Sequence, residues 1–165
     1  MPAQVLQINI SPGGLPKRPI PHGMVTPLGF AGDSCAHPQI HGGPLQSLLL
    51  IAREVVDDFC GRGFPLFYGA LGENITTTGL DHRSWRAGQR YRLGSEVIIE
   101  LTKPRGPCTA LDIYGESLRS LIYDRQVKDR DPASRFWGMS GFYAGVVQSG
   151  ELHPGAPILL LDQSC

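Results

Sequence analysis

The segment "LTKPRGPCTAL", residues 101–111, places Cys108 after two cations, Lys103 and Arg105, on a backbone stiffened by Pro104 and Pro107. The thiolate is the nucleophilic and metal-binding form of cysteine, and neighbouring positive charge favours it. Prolines fix such a turn at low entropic cost. Read alone, the segment leaves two roles open for Cys108: a reactive or ligating thiol, or a small buried hydrophobe, as free cysteine often is. A second cluster joins Asp33, Cys35, His37 and His41 within nine positions, a set able to bind zinc. Pro38 prevents a regular helix from putting both histidines on one face, so hydrogen-bonded loop histidines are favoured over a metal site.

Two weaker signals complete the candidates. In "GALGENITTTG", Gly69 and Gly72 permit close backbone approach to a ligand or a strand, while Glu73 and Asn74 supply an acceptor and a two-way amide. The bland alternative is a turn whose backbone Asn74 satisfies. Lys17 and Arg18, inside "SPGGLPKRPIP", are ordinary solvated cations unless they clamp a phosphate. Cys60 closes an apolar helical pattern and reads as packing, and Cys165 is terminal. No CxxC spacing is present, which argues against a zinc ribbon or a disulfide scaffold and for reduced thiols in a cytoplasmic setting.

These residues need elements to hold them. Leu6, Ile8 and Ile10 alternate with polar neighbours and predict a half-buried strand. Residues 22–44 have little periodicity and predict a long loop or very short strands. Leu45, Leu48, Leu49, Ala52, Val55, Val56 and Phe59 fall at helical spacing, with Gly61 placed to end the helix. "RYRLGSEVIIEL" predicts a hairpin turning at Gly94-Ser95. A second helix is expected between Glu116 and Lys128, and final strands around Ser149-Gly150 and Pro154-Gly155. With 21 glycines, 14 prolines and only 18% charged residues, turns are many and long helices few. The expectation is a mainly β (α+β) single domain over residues 1–165, a small β-barrel with two or more flanking helices. Lys and Arg (15) balance Asp and Glu (15), which argues against broad binding to nucleic acid or an anionic membrane. No apolar run approaches a bilayer-spanning length.

In order, "GFAGDSCAHPQIHGGPLQSLLL", "YGALGENITTTGLD", "GQRYRLGSEVIIELTKPRGPC" and "GFYAGVVQSGELHPG" resemble the MOSC domain, named for the C-terminal domain of molybdenum cofactor sulfurases. The likeness runs from about Gly29 to Leu161 and is nearest to small stand-alone bacterial members. It implies a pyruvate-kinase-barrel-like fold that binds the molybdenum cofactor (molybdopterin), a labile group that recombinant protein can lack. Cys108 matches the family's cysteine, as the molybdenum ligand or as a sulfur-carrying thiol. Asn74 falls on the family's asparagine, Lys17 near a cofactor-contacting lysine, and Arg105 in the "PR.PC" element. His41, with Gly42 and Gly43, matches "HGG", and Arg18 and Lys103 join the cofactor-binding candidates. A sister-family link to pyridoxal phosphate comes with the same resemblance.

Two functions follow from the resemblance. The first is a molybdenum-dependent oxidoreductase that reduces N-hydroxylated small molecules, with electrons from a separate donor protein because no dinucleotide or Fe–S motif is visible. The alternative is a sulfur carrier holding a persulfide on Cys108. A non-catalytic binding module is a third reading, and a homodimer stays open.

Overall fold

The computed structural model describes residues 2–34 and 43–161. Eight strands form one sheet in the order β11-β7-β8-β9-β5-β6-β1-β2. In chain order these are β1 (Gln4–Ile10), β2 (Arg18–Ile20), β5 (Leu48–Ala52), β6 (Ile75–Thr78), β7 (Arg90–Leu93), β8 (Val97–Pro104), β9 (Phe142–Gln148) and β11 (Ile158–Leu160). A smaller sheet pairs β3 (Gly23–Thr26) with β4 (Gly29–Phe30) and with β10 (Gly150–Leu152). The helices are α1 (Arg53–Gly61), α2 (Leu118–Ile122) and α3 (Arg125–Lys128), with 3₁₀ turns at His82–Ser84 and Thr109–Tyr114. None of the described helices is long and apolar enough to cross a membrane.

Three expectations change. The helix read from Leu45 to Phe59 is a strand followed by a helix. Leu48–Ala52 is buried at every position because β5 lies inside the sheet, parallel to β6 and antiparallel to β9. A strand covered on both faces loses its two-residue alternation and looks like a buried helix turn. Only from Arg53 does the helical spacing hold, with Val55, Val56 and Phe59 inward. The second expected helix is broken in two at Tyr123, which is extended, and Asp124 Oδ1 caps α3 by accepting from Val127 N at 2.9 Å.

The third change concerns the barrel, which is not closed. β1 reaches the segment before β11 through a lone bridge between Gln4 and Pro157 and two backbone hydrogen bonds, Val5 N to Ala156 O at 2.9 Å and Gly155 N to Val5 O at 2.7 Å. Pro157 has no N–H to continue a ladder, and among the described residues β11 forms a strand ladder with β7 and adds toward β1 the single bond Ile158 N to Ala3 O at 3.0 Å. The sheet therefore curls toward closure without a continuous seam.

One core fills this curl, with Trp85, Phe59, Phe142, Ile8 and Leu71 among its fully buried side chains. Trp85 and Trp137 meet Phe142 edge-on, with ring centroids 6.1 and 5.7 Å away. These contacts anchor the start of β9 against the end of β8, where Lys103 lies opposite Tyr143 and Pro104 opposite Phe142. The chain leaving β8 at this anchored edge carries Arg105 and Cys108.

Candidate functional site

Arg105 continues the β8 line for one more residue, its N–H donating to Gly141 O at 2.8 Å. Its side chain is only 4% exposed. Nε donates to Ser140 O at 2.9 Å and Nη2 to Leu71 O at 2.8 Å, while Ser140 Oγ donates to Arg105 O at 2.6 Å. Burial lowers the pKa of this guanidinium, and Tyr143, Glu73 and Cys108 oppose the shift. It stays cationic, as arginine does in proteins. Gly106 and Pro107 then turn the chain so that Cys108 precedes the Thr109–Tyr114 turn in extended conformation. Cys108 is a half-buried free thiol.

Cys108 and Arg105 line a cleft of about 220 Å³ together with Lys17, Asp33, Asn74 and Tyr143. The far wall is organised by Asp33. Its carboxylate accepts from Lys17 Nζ at 2.6 and 2.8 Å, from Asn74 Nδ2 at 2.7 Å and from Ser11 N at 2.9 Å. Asn74 is saturated as well. Its Oδ1 accepts from Leu49 N at 3.1 Å, and Nδ2 also donates to Asn9 O at 3.3 Å. Asn74 thus orders its loop by tying β1 and β5 to the start of β6. Lys17 and Asp33 cancel each other's charge, which leaves Arg105 as the cation within the cleft that, among the described residues, no carboxylate pairs at hydrogen-bond distance.

The structure brings Lys17, Asn74, Arg105 and Cys108 to one cleft and places two other candidates elsewhere. Arg18 is exposed and lies over the Phe67 ring, 4.9 Å from its centroid. It faces away because strand neighbours point to opposite sides. Lys103 lines a separate hollow, with its Nζ 5.9 Å from the Tyr143 ring centroid. His41, Cys35, His37 and Gly42 lie outside the described residues. Of the four residues weighed against a zinc site only Asp33 is described, and its oxygens are engaged as above. Among the described residues no group of three or more His, Cys, Asp or Glu could hold a metal ion.

Two contributors carry no signal in the sequence, and a third has a role other than the one read there. Arg119, paired with Asp112 at 2.8 Å, lies near enough to Cys108 to interact electrostatically. Tyr143 lines the cleft from the "GFYAG" segment. Asp33 was considered only as a metal ligand, whereas it fastens Lys17 to Asn74. Nothing local to residues 17, 33 and 74 announces that contact, which the fold alone creates.

Glu73, beside Asn74, is wholly buried. Thr76 Oγ1 donates to its Oε2 at 3.3 Å, and Oε1 has no partner among the described residues. Burial pushes its pKa up to about 7, against the pull of nearby backbone N–H groups and of Arg105. An unfolded glutamate releases its proton near 4.5. Between those values the folded chain binds more protons, so the stability this residue contributes is complete at the lower pH and falls as pH rises to the upper one. The loss is on the order of 3 kcal/mol. Glu73→Gln, which mimics the neutral acid, is expected to flatten this slope. Urea unfolding at about pH 5 and about pH 8 checks it, and parallel pH profiles for the two proteins would refute it.

The MOSC domain family model matches residues 37–159, and the chain belongs to the MOSC domain family. It is 31% identical to protein YiiM of Escherichia coli (strain K12) over 145 residues, 85% of this chain and 59% of that protein. It is also 31% identical to the uncharacterized protein YflK of Bacillus subtilis (strain 168), over 91% of this chain and 64% of the relative. The chain thus spans about three-fifths of the length of these relatives. A protein named "Reductase" from Gibberella moniliformis (strain M3125 / FGSC 7600) is 30% identical over 58% of this chain, covering 15% of that protein. The crystal structure of YiiM from Geobacillus stearothermophilus superposes with a TM-score of 0.69 at 26% identity, over 98% of this chain and 76% of the other. The E. coli YiiM structure, with a TM-score of 0.68 and 24% identity over 99% of this chain and 70% of that one, shows the shared fold.

Proposed function

We propose that this chain binds the molybdenum cofactor, with Cys108 as the protein ligand to molybdenum, and reduces N-hydroxylated small molecules. The carrying observation is a half-exposed free sulfur opening on a cleft whose other wall is rigid and polar and whose cation Arg105 is held on two carbonyls, with no carboxylate at hydrogen-bond distance among the described residues. The donor set fits such a group. Cys108 is one soft ligand with no cluster of harder ligands beside it among the described residues, which suits a metal that arrives with sulfur ligands of its own. Arg105, held on two carbonyls, offers fixed positive charge to an anionic group without reorganising. The Lys17–Asp33–Asn74 unit keeps the opposite wall in place. The bound cofactor supplies two-electron redox chemistry at the metal.

Reduction of R–NH–OH to R–NH₂ and water consumes two electrons and two protons, so a separate electron-donor protein is part of this reading. The name of the Gibberella relative supports a redox role. Protein purified from a molybdenum-competent host and supplied with a reconstituted electron donor is expected to reduce an N-hydroxylated amine or amidine. Protein that holds molybdenum and turns over none of these compounds with any competent donor would contradict the reductase reading.

A further inference from the structure

Beside the Cys108 cleft lies a second hollow of about 250 Å³, and the two share Gln46 and Tyr143 in their walls. Its polar lining is cationic. Lys103 enters from β8, Lys128 from the last residue of α3, and Arg130 from just beyond, with Tyr123 adding a phenol. Among the described residues no aspartate or glutamate lines it. The acids nearest in sequence are engaged elsewhere: Asp124 by Val127 N and Ser134 Oγ, Asp129 by Arg125, and Asp131 by Gln126 and Ala133 N. In a chain of zero formal net charge, this is a local concentration of positive charge in a concave site.

Arg130 adds an independent observation. Its φ of 63° makes it the one non-glycine among the described residues in the left-handed region. It sits just past the end of α3, where Asp131 N donates to Gln126 O at 2.9 Å and Arg130 N to Val127 O at 2.9 Å. That helix-ending pattern ordinarily takes glycine, which adopts the conformation without strain. An arginine there is held against its backbone preference, and outliers of this kind concentrate at ligand sites.

We propose that this hollow binds the phosphate of the substrate, so that the preferred substrates are phosphate monoesters carrying the reducible N-hydroxyl group. The inference rests on the reductase reading for the adjacent cleft. A phosphate monoester carries about −1.5 to −2 charge near neutral pH and three acceptor oxygens, which three cations and a phenol match. Tyr143, opposite Lys103 in the ladder, borders both hollows, so one molecule can reach across it with its phosphate on the basic side and its reactive end toward Cys108.

The test compares wild type with Arg130→Gly and with Lys128→Ala/Arg130→Gly. Ribose 5-phosphate at millimolar concentration is expected to raise the melting temperature of wild type while neutral ribose does not, and the double variant is expected to lose the response. Without ligand, Arg130→Gly should melt at or above the wild-type temperature, because glycine relieves the strained φ. With loaded enzyme, kcat/KM for a phosphorylated N-hydroxylated substrate should fall at least about tenfold in the double variant, as expected when a charge-assisted contact is lost. The value for an unphosphorylated counterpart should hold. An equal ribose 5-phosphate response in wild type and double variant would overturn the proposal. So would loss of molybdenum from the double variant, since the cofactor's own phosphate would then occupy the hollow. If wild type takes up no molybdenum yet shows the ribose 5-phosphate response, the reductase reading falls and the phosphate site stands.

Discussion

Cys108→Ser is expected to lower the proposed reductase turnover by at least about 100-fold while leaving the melting temperature within about 2 °C of wild type. The two halves of this outcome have separate physical causes. The sulfur is half-buried and makes no hydrogen bond among the described residues, so the oxygen that replaces it breaks nothing in the fold. The loop around it is held by other groups: Leu111 N on Cys108 O at 3.1 Å and the Arg105 bonds to Ser140 O and Leu71 O. As a ligand, however, a serine hydroxyl is hard and protonated where a thiolate is soft and charged. If Cys108 only packed, the result would invert, with melting lowered and turnover retained. Thermal unfolding and steady-state rates on the same preparations separate the two outcomes.

Gly69→Ala carries the largest expected effect on stability. Gly69 has φ of +100°, and a Cβ there would sit 2.2 Å from Lys17 O and 3.3 Å from Asn9 Cγ. Neither neighbour can yield cheaply. Lys17 N donates to Gly69 O at 2.9 Å, and Asn9 Nδ2 donates to Glu73 O at 3.1 Å. The methyl group must therefore push β1 and the Lys17 segment off the "GALGEN" loop, at a cost of about 3 kcal/mol or more. A fall in melting temperature of about 8 °C or more is expected, or failure to fold. Because Lys17 and Asn74 are both attached to the displaced segments, any folded variant should also lose activity. A variant that melts within about 2 °C of wild type would show that this close approach is not a constraint.

The glycine in "GALGEN" was readable as a point of close backbone approach, though whether to ligand or to strand was not; the partner is the backbone of Lys17, just before β2. Cys108 and Arg105 could be read together because only Gly106 and Pro107, a rigid turn, separate them. Lys103 looked equivalent to Arg105, two positions apart on a strand. The strand ends at Pro104, however, between the two cations. The two cations consequently diverge into different hollows. Asp33, Lys17 and Asn74 meet only after β1, β2 and β6 have paired, which no local pattern encodes. The strand β5 was hidden for a different reason. An apolar run buried on both faces carries no period from which to choose strand over helix. The likeness to MOSC domains, carried by four short segments in order, conveyed the mainly β class and the position of the thiol, yet not the open seam at Pro157.

The central claim is that the sulfur of residue 108 is a molybdenum ligand. Elemental analysis of wild type and Cys108→Ser, both purified from a molybdenum-competent host, with intact mass measured on the same samples, tests it most directly. The account predicts molybdenum approaching one atom per wild-type chain and near zero in the serine variant. Wild-type protein without molybdenum, carrying instead the mass of one extra sulfur on Cys108, would contradict it.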